Sequence, residues 1–399
     1  MKKILAILMV LTLLVGMSVF TTSCGGEEEE ELFKVGAIYI TSKNDTAGYT
    51  YAHHTGIVTA MKALGMDVDK QLLIVDNVSD QDPEATKAAI DTLAGKGANI
   101  IIGISYGYME SMEEKAKEYT DIVFSHGTGW KSNETNFNNY FGRIYQARYL
   151  AGVAAGLKSK ETGNNNIGYV AAFGKTLAET GSGINSFALG AQAANPDAKV
   201  YVKLLNNWAD EKNEAAFAAE LISSYKCGVI SQHCDSAQPQ IAAQNAGVYG
   251  CGYNSDMTDA APDAHLTAAI WHWEVYYQVA IKAAMDCGEA KNFVNTVEGG
   301  QAYYGGLKEG FVDVSALSKN CAPNTQKAID AISEMIISGE WDVFSGYKLS
   351  VDADGNVTKA AADLIDDAGN VIVAAGGASV DDGVIKGSMD YYVAGVSEV

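Results

Sequence analysis

The chain has 399 residues, enough for about two domains of ordinary size with sizeable cores. It is 48% apolar and 19% charged, which makes it globular rather than disordered, and five prolines exclude a Pro-rich linker protein. Asp and Glu number 49 against 28 Lys and Arg, a net charge of −21; this argues against nucleic acid and anionic lipid headgroups as partners, since both need basic patches.

Lys2 and Lys3 form a short positive segment before the apolar run Ile4 to Met17. That run has the length of a secretory signal and is too short for a comfortable membrane span. The stretch Thr21-Thr22-Ser23-Cys24-Gly25-Gly26, followed by Glu27 to Glu31, resembles a bacterial lipoprotein cleavage site, with Thr21 where Leu is usual. The resemblance implies a signal peptide over 1–23, a lipidated Cys24 (acylated, for example, by palmitate), and an acidic tether over 24–32. The protein is then expected on the extracytoplasmic face of a bacterial cell membrane, held by a lipid anchor. Five cysteines remain: Cys227, Cys234, Cys251, Cys287 and Cys321. An odd set without CxxC is neither a disulfide framework nor a zinc site. Cys227 and Cys251 flank strands of one predicted sheet, and whether they pair is left open.

From Phe33 onward short apolar runs alternate with helical segments. Strands are expected at Lys34–Ile40, Gln71–Asp76, Asn99–Ile104 and Asp121–Ser125, with helices at Ala52–Leu64 and Met109–Glu118. Asp82-Pro83 opens a further helix, with Asp as cap and Pro at the first helical position. The pattern restarts after a helix at Tyr149–Lys158. Strands follow at Asn166–Phe173, Lys199–Leu205, Gly228–Gln232, Val248–Gly252 and Leu266–Trp271. Their helices are Ile184–Ala194, Glu211–Tyr225, Gln238–Asn245 and Glu274–Cys287, with Gly181-Ser182-Gly183 opening the first of them. Such alternation specifies α/β parallel sheets flanked by helices, here in two consecutive units that read as two lobes. After about Gly300 the character changes, and Asp354-Gly355 and Ala368-Gly369 read as hairpin turns.

Ligands of open parallel sheets bind beyond the carboxyl ends of the strands. Those positions carry Asn44 and Tyr49 after the first strand, Tyr106 after the third and His126 after the fourth. In the second unit they carry Phe173, Trp208, Asp235, Asn254 and Trp271. Aromatics, amides and carboxylates in these places suit a flat, polar-edged ring: aromatic faces stack on it while Asn and Asp read its edge. Asp235 could equally cap the helix before Pro239, and one of Trp271 and Trp273 should face the core. One of His53 and His54 should cap or pack. The histidines lack ligand spacing, so no metal is expected, and no phosphate-loop, nucleophile-elbow or HExxH motif is present. No catalytic residue and no cofactor is assigned.

Several segments together resemble one family. They include Gly48-Tyr49-Thr50-Tyr51-Ala52-His53, the run Gly142–Gly152, Trp208-Ala209-Asp210 and Gln232-His233-Cys234-Asp235-Ser236. Gly252–Met257, Trp271-His272-Trp273 and the closing segment from Val380 to Tyr392 continue the likeness. The chain resembles the basic membrane protein family of substrate-binding lipoproteins, which serve ABC importers of purines and nucleosides. The resemblance implies a two-lobe, periplasmic-binding-protein-like fold of type I with three interlobe crossovers, near Tyr145, Asn254 and Gly305. The lobes would be 33–145 plus 254–305 and 146–253 plus 306–399. It implies a purine between Tyr49 and Trp208, with Asp235 on the second-lobe wall, and an ABC permease with its ATPase as partners. The family's ribose-binding Asp is here Asn254 and its Lys is here Trp271, which points to a free base such as adenine or hypoxanthine. The rival readings are a surface-anchored nucleoside hydrolase or deaminase, and a receptor domain for a non-purine small ligand.

Overall fold

The computed structural model describes residues 32–399. The expected signal peptide, Cys24 and the Glu27–Glu31 run lie outside the described residues. The first half of the chain runs β1 (Val35–Ile38), α1 (Gly48–Ala63), the single turn α2 (Val68–Gln71), β2 (Leu72–Val75), α3 (Pro83–Gly95), β3 (Ile100–Gly103), α4 (Met109–Glu118), β4 (Val123–Gly127) and β5 (Phe137–Gly142). It continues with α5 (Ile144–Thr162), β6 (Asn166–Ala171), α6 (Ala178–Ala194), β7 (Lys199–Leu204), α7 (Glu211–Ser223), β8 (Val229–His233), α8 (Gln238–Asn245), β9 (Tyr249–Asn254) and β10 (His265–Trp271). Then come α9 (Trp273–Asp286), α10 (Phe293–Thr296), β11 (Ala302–Gly305), β12 (Val312–Val314), α11 (Thr325–Ile337), β13 (Tyr347–Val351), β14 (Val357–Ala361), β15 (Leu364–Ile365), β16 (Val371–Val373), α12 (Asp382–Gly387) and β17 (Val396–Glu398).

Two sheets organise these elements. The first has the order β11-β5-β4-β3-β1-β2, every pair parallel. The second has the order β12-β10-β9-β8-β6-β7-β17, parallel except where β12 runs against β10. β1 and β3 are buried at every residue, as sheets covered on both faces require. Asp82 caps α3 through the backbone N–H groups of Glu84 and Ala85, both 3.1 Å away, with Pro83 in the first turn. Both expected hairpin turns exist. In each, one Asp (Asp352 or Asp366) accepts from two backbone N–H groups and from the amide of an Asn four residues on.

The chain passes between the sheets three times. The first passage is at Arg143 and the third lies between Gly305 and Val312. The second is at His272, not Asn254: β10 pairs parallel with β9 and so belongs to the second sheet, and α9, which follows, packs on α1 of the first lobe. Strand pairing decides this point, because an apolar run such as Leu266–Ile270 fits either sheet equally well. The passages are tied to one another, with Arg143 N–H bonded to the Gly305 carbonyl at 2.7 Å and His272 N–H to that of Phe311 at 2.9 Å. Arg143 also forms a fork on Asp382 of α12, with Nη2 at 2.7 Å from Oδ2. Helix α6 starts at Ala178, so Gly181 and Gly183 sit inside it rather than opening it. Cys227 and Cys251 are both free buried thiols.

Helices α5 and α6 pack so closely that side chains must vanish where they touch. A Cβ on Gly190 would fall well inside contact distance of the Tyr149 carbonyl oxygen, and one on Gly152 would strike the carbonyl of Phe187. Backbone cannot yield as a flexible side chain can. Gly190→Ala should therefore lower stability by about 1–3 kcal/mol, seen as a lower urea midpoint. Gly95→Ala, at an exposed helical site with nothing within 4 Å, should leave the midpoint unchanged or raise it. Equal midpoints for the two variants would contradict this packing.

Candidate ligand-binding site

Each sheet has a point where the chain reverses the direction in which it adds strands: between β1 and β3 in the first, between β6 and β8 in the second. In open parallel sheets such reversal points are where strand-end loops diverge and ligands bind. Tyr49 follows β1, Phe173 follows β6, and Asp235 follows β8. The two faces touch at Gly48, whose N–H lies 3.4 Å from Ser255 Oγ and where a Cβ would collide with the Asp235 carbonyl. Gly48 also has φ +87°, a second reason for glycine.

The first-lobe wall is aromatic. Tyr49 packs edge-on against His53, with ring centroids 4.3 Å apart, and its hydroxyl donates to the Ile104 carbonyl at 2.6 Å. His53 stacks on Trp273 at 4.0 Å, and Trp273 stacks on Trp271 at 4.4 Å. Phe141 and Phe311 close on this column, so aromatics gather where all three passages meet. The second-lobe wall is a chain of rings: Phe173 against Trp208 at 5.5 Å, Trp208 against His233 at 5.8 Å, and His233 against Tyr253 at 4.8 Å. The Arg148 guanidinium lies 3.9 Å over the Tyr253 ring. Its Nη1 donates to Tyr169 Oη at 2.7 Å and to the Gln232 carbonyl at 3.1 Å.

Asp235 sits on a turn that its neighbours fix. Its N–H bonds the Trp208 carbonyl at 2.9 Å, which locks the two loops together. Glu214, fully buried on α7, accepts from the backbone and hydroxyl of Ser236 and from Asp210 N–H. Asn254 donates Nδ2 to Asp235 Oδ1 at 3.0 Å, from a left-handed backbone (φ +68°) that Asn tolerates better than most residues. Burial, with help from Glu214, Glu179 and Asp80 and against the Asn254 hydrogen bond, raises the Asp235 carboxyl to about 8. Burial raises Glu179, at the start of α6, to about 7 against the pull of Arg148. Burial raises the Tyr49 hydroxyl well above its usual value, and Tyr140, Glu179, Tyr253 and Asp235 add to it. The last three belong to the second lobe, so Tyr49 faces them. Burial keeps His53 neutral, and burial together with Arg148 does so for His233.

Several buried polar atoms here have no partner among the described residues: Arg148 Nε and Nη2, both nitrogens of His233, and Asn254 Oδ1. Buried polar atoms are nearly always bonded, so such a gathering marks a place built for something more than packing.

The structure thus brings Tyr49, Phe173, Trp208, Asp235 and Asn254 to one crevice. Asp235 caps no helix: α8 starts at Gln238 without a side-chain cap. Trp271 and Trp273 are both buried, and Trp271 belongs to the aromatic column at the passages rather than to the walls that carry Tyr49 and Trp208. His126 is fully buried behind the wall, its Nε2 held 2.7 Å from the Ser105 carbonyl. Tyr106 is 57% exposed on a short turn after β3. Asn44 is exposed in the β1–α1 loop, and no hydrogen bond joins its side chain to the cluster. Glu179, Arg148, His233 and Asp80 are additions. Arg148 was marked by its place among the alanines of α5, and Glu179 by lying just before the glycines taken for the helix start. Among the described residues no group of three or more His, Cys, Asp and Glu is placed to hold a metal ion.

Comparisons with known proteins agree on the architecture. The Bmp family model, described as ABC transporter substrate-binding protein PnrA-like, matches residues 33–345. A purine-binding protein of Brucella abortus (strain 2308) is 34% identical over 374 residues, covering 94% of this chain and 95% of its own. A protein of Haloferax volcanii named for glucose binding in an ABC transporter is 32% identical over 334 residues, covering 84% of this chain and 80% of its own. A solved solute-binding protein of an ABC transporter system from Aeropyrum pernix K1 superposes with a TM-score of 0.61 at 15% identity, over 80% of this chain and 94% of that one.

The raised carboxyls also govern stability. A group whose folded pKa lies above its unfolded value stabilises fully at low pH and loses that effect as pH rises through the folded value. Glu179 and Asp235 therefore cost the ligand-free protein stability between about pH 5 and about pH 8. Replacing both with Gln and Asn should flatten the fall in melting temperature over that range, measured by calorimetry. An unchanged fall would show that the two carboxyls are not held up by the crevice.

Proposed function

Because the chain belongs to the Bmp family of PnrA-like ABC transporter substrate-binding proteins, we propose that it is the lipid-anchored, extracytoplasmic receptor of an importer for a purine, with a free base such as adenine or hypoxanthine preferred to a nucleoside. The observation that carries this reading is the pair of aromatic walls, Tyr49 on one side and the Phe173–Trp208 pair on the other, flanking half-buried carboxylates. A planar heterocycle satisfies both kinds of surface at once. The 34% identity to a purine-binding protein over nearly the whole chain supports it. Cys24, followed by an acidic run, would carry the lipid and hold the lobes off the membrane.

The mechanism is binding and delivery. The lobes swing about the passages at Arg143, His272 and Gly305–Val312. A ligand touching both lobes favours the closed form by its differential affinity for that form. The closed form docks on a permease, and a separate ATPase drives transfer. Every family member and structural neighbour described above is a solute-binding protein, which favours binding over the hydrolase and deaminase readings.

A sugar ligand is the second reading. The Haloferax relative's name favours it, and aromatic walls with carboxylate acceptors also suit a pyranose. Titration calorimetry with adenine, hypoxanthine, adenosine and glucose separates the readings. Tightest binding of a free base is expected; tighter adenosine refutes the base preference, and glucose alone refutes the purine. Trp208→Ala should weaken base binding by about 1–3 kcal/mol while leaving the fold intact. Unchanged affinity would remove Trp208 from the wall.

A further inference from the structure

We propose that Glu179 and Asp235 act together as the acceptor pair that determines specificity: they take N–H donors from the ligand's ring edge, and binding expels the protons they hold. The proposal rests on the purine reading and deepens it. A free purine carries an N–H on its imidazole ring that glycosylation removes, and adenine adds an exocyclic amino group. Facing acceptors therefore favour the base over the nucleoside.

The geometry supports this in four ways. Glu179 is half-buried in the first turn of α6, and among the described residues no donor lies within hydrogen-bond distance of its carboxylate. Asp235 is satisfied at Oδ1 alone, by Asn254. Tyr49, the hydroxyl facing them, is already committed to the Ile104 carbonyl and has no proton to offer. His233, fully buried and with no partner on either nitrogen among the described residues, places Nε2 3.8 Å from Glu179 Oε1, too far for a hydrogen bond. Each acceptor thus retains capacity that the protein itself leaves unfilled.

The charged and titratable surroundings define the sign. Glu179 faces Arg148 from α5, His233 from β8 and Asp235 from the turn after it. Asp235 further faces Glu214 from α7 and Asp80 from the loop after β2. Arg148 is the one cation of this group, and its Nη1 is occupied by Tyr169 and Gln232. Negative charge is therefore in excess, and the carboxyls titrate at about 7 and about 8. Near neutral pH both carboxyls of the free site therefore stay partly protonated. An ionised carboxylate accepts an N–H more strongly than a neutral carboxyl, and only the ionised group accepts at both oxygens, so binding favours breaking the carboxyl O–H bond and the proton passes to solvent.

The test is calorimetric titration of the protein with adenine from about pH 6 to about pH 9, in two buffers of different protonation enthalpy. Adenine does not change charge in this window. Proton release is expected, with affinity rising on the acid side by up to about tenfold per pH unit for each carboxyl that ionises. Glu179→Gln should reduce both the release and the slope, and Asp235→Asn should do so independently, each checked for folding by circular dichroism. Affinity that is flat or falls with pH in the wild type, without proton release, overturns the proposal whatever the variants do. So does a folded Glu179→Gln with the wild-type slope. Adenine binding without linkage defeats this inference alone; no purine binding at any pH defeats the purine reading and the inference with it.

Discussion

The stack of Trp271 on Trp273, closed by His53, Phe141 and Phe311, is the contact on which the remaining architecture depends. It sits where the chain crosses between sheets. Aromatic pairs of this kind contribute beyond their buried area and have strong orientational preferences. They hold the end of β10 and the start of α9 in one place, and so set which strand ends confront which. Tyr49 reaches this column through His53, and the opposing wall reaches it through β9 and β10, which pair side by side. The column and the two aromatic walls are parts of one packed unit, so a change in the column should be felt at both walls.

Much of the fold was legible because both sheets are parallel and buried on both faces. Runs such as Ile100–Gly103 then read as strands whatever their neighbours do. The Asp82-Pro83 cap and the two Asp-centred hairpins were legible because their chemistry is local. β5 was not, since Phe-Asn-Asn-Tyr-Phe-Gly carries two adjacent amides, and Asn138 and Asn139 are buried only because the tertiary structure supplies partners, Tyr276 Oη and the Lys131 carbonyl. The second passage was not legible for a related reason: which sheet β10 joins is decided by pairing, a non-local property. Helix α6 extends further back than its apolar pattern because Gly183, poor in helix propensity, is what makes room for Arg148 and His233.

The site divides in the same way. Tyr49, Phe173, Trp208, Asp235 and Asn254 follow strands, and strand ends are predictable from the order of elements. His126 and Trp271 also follow or end strands, yet they turn into the core, because position along a strand says where a residue is but not which face it meets. Glu179 and Arg148 come from helices, and only the packing of α5 on α6 brings them to the crevice. The acidic composition gains a local counterpart here. Glu214, Glu179 and Asp80 all act on Asp235 from elements distant in sequence, and Asn254 gives Asp235 a donor instead of another negative charge.

The central claim is that a flat nitrogenous ring is held between the β1 and β8 strand-end loops, in contact with both lobes. A crystal structure of the protein grown with adenine tests it most directly. The account predicts electron density for the base between the Tyr49 and Trp208 rings, with its N–H edge toward Asp235. Adenine bound elsewhere, or a crevice whose lobes close on each other with the base excluded, would contradict it.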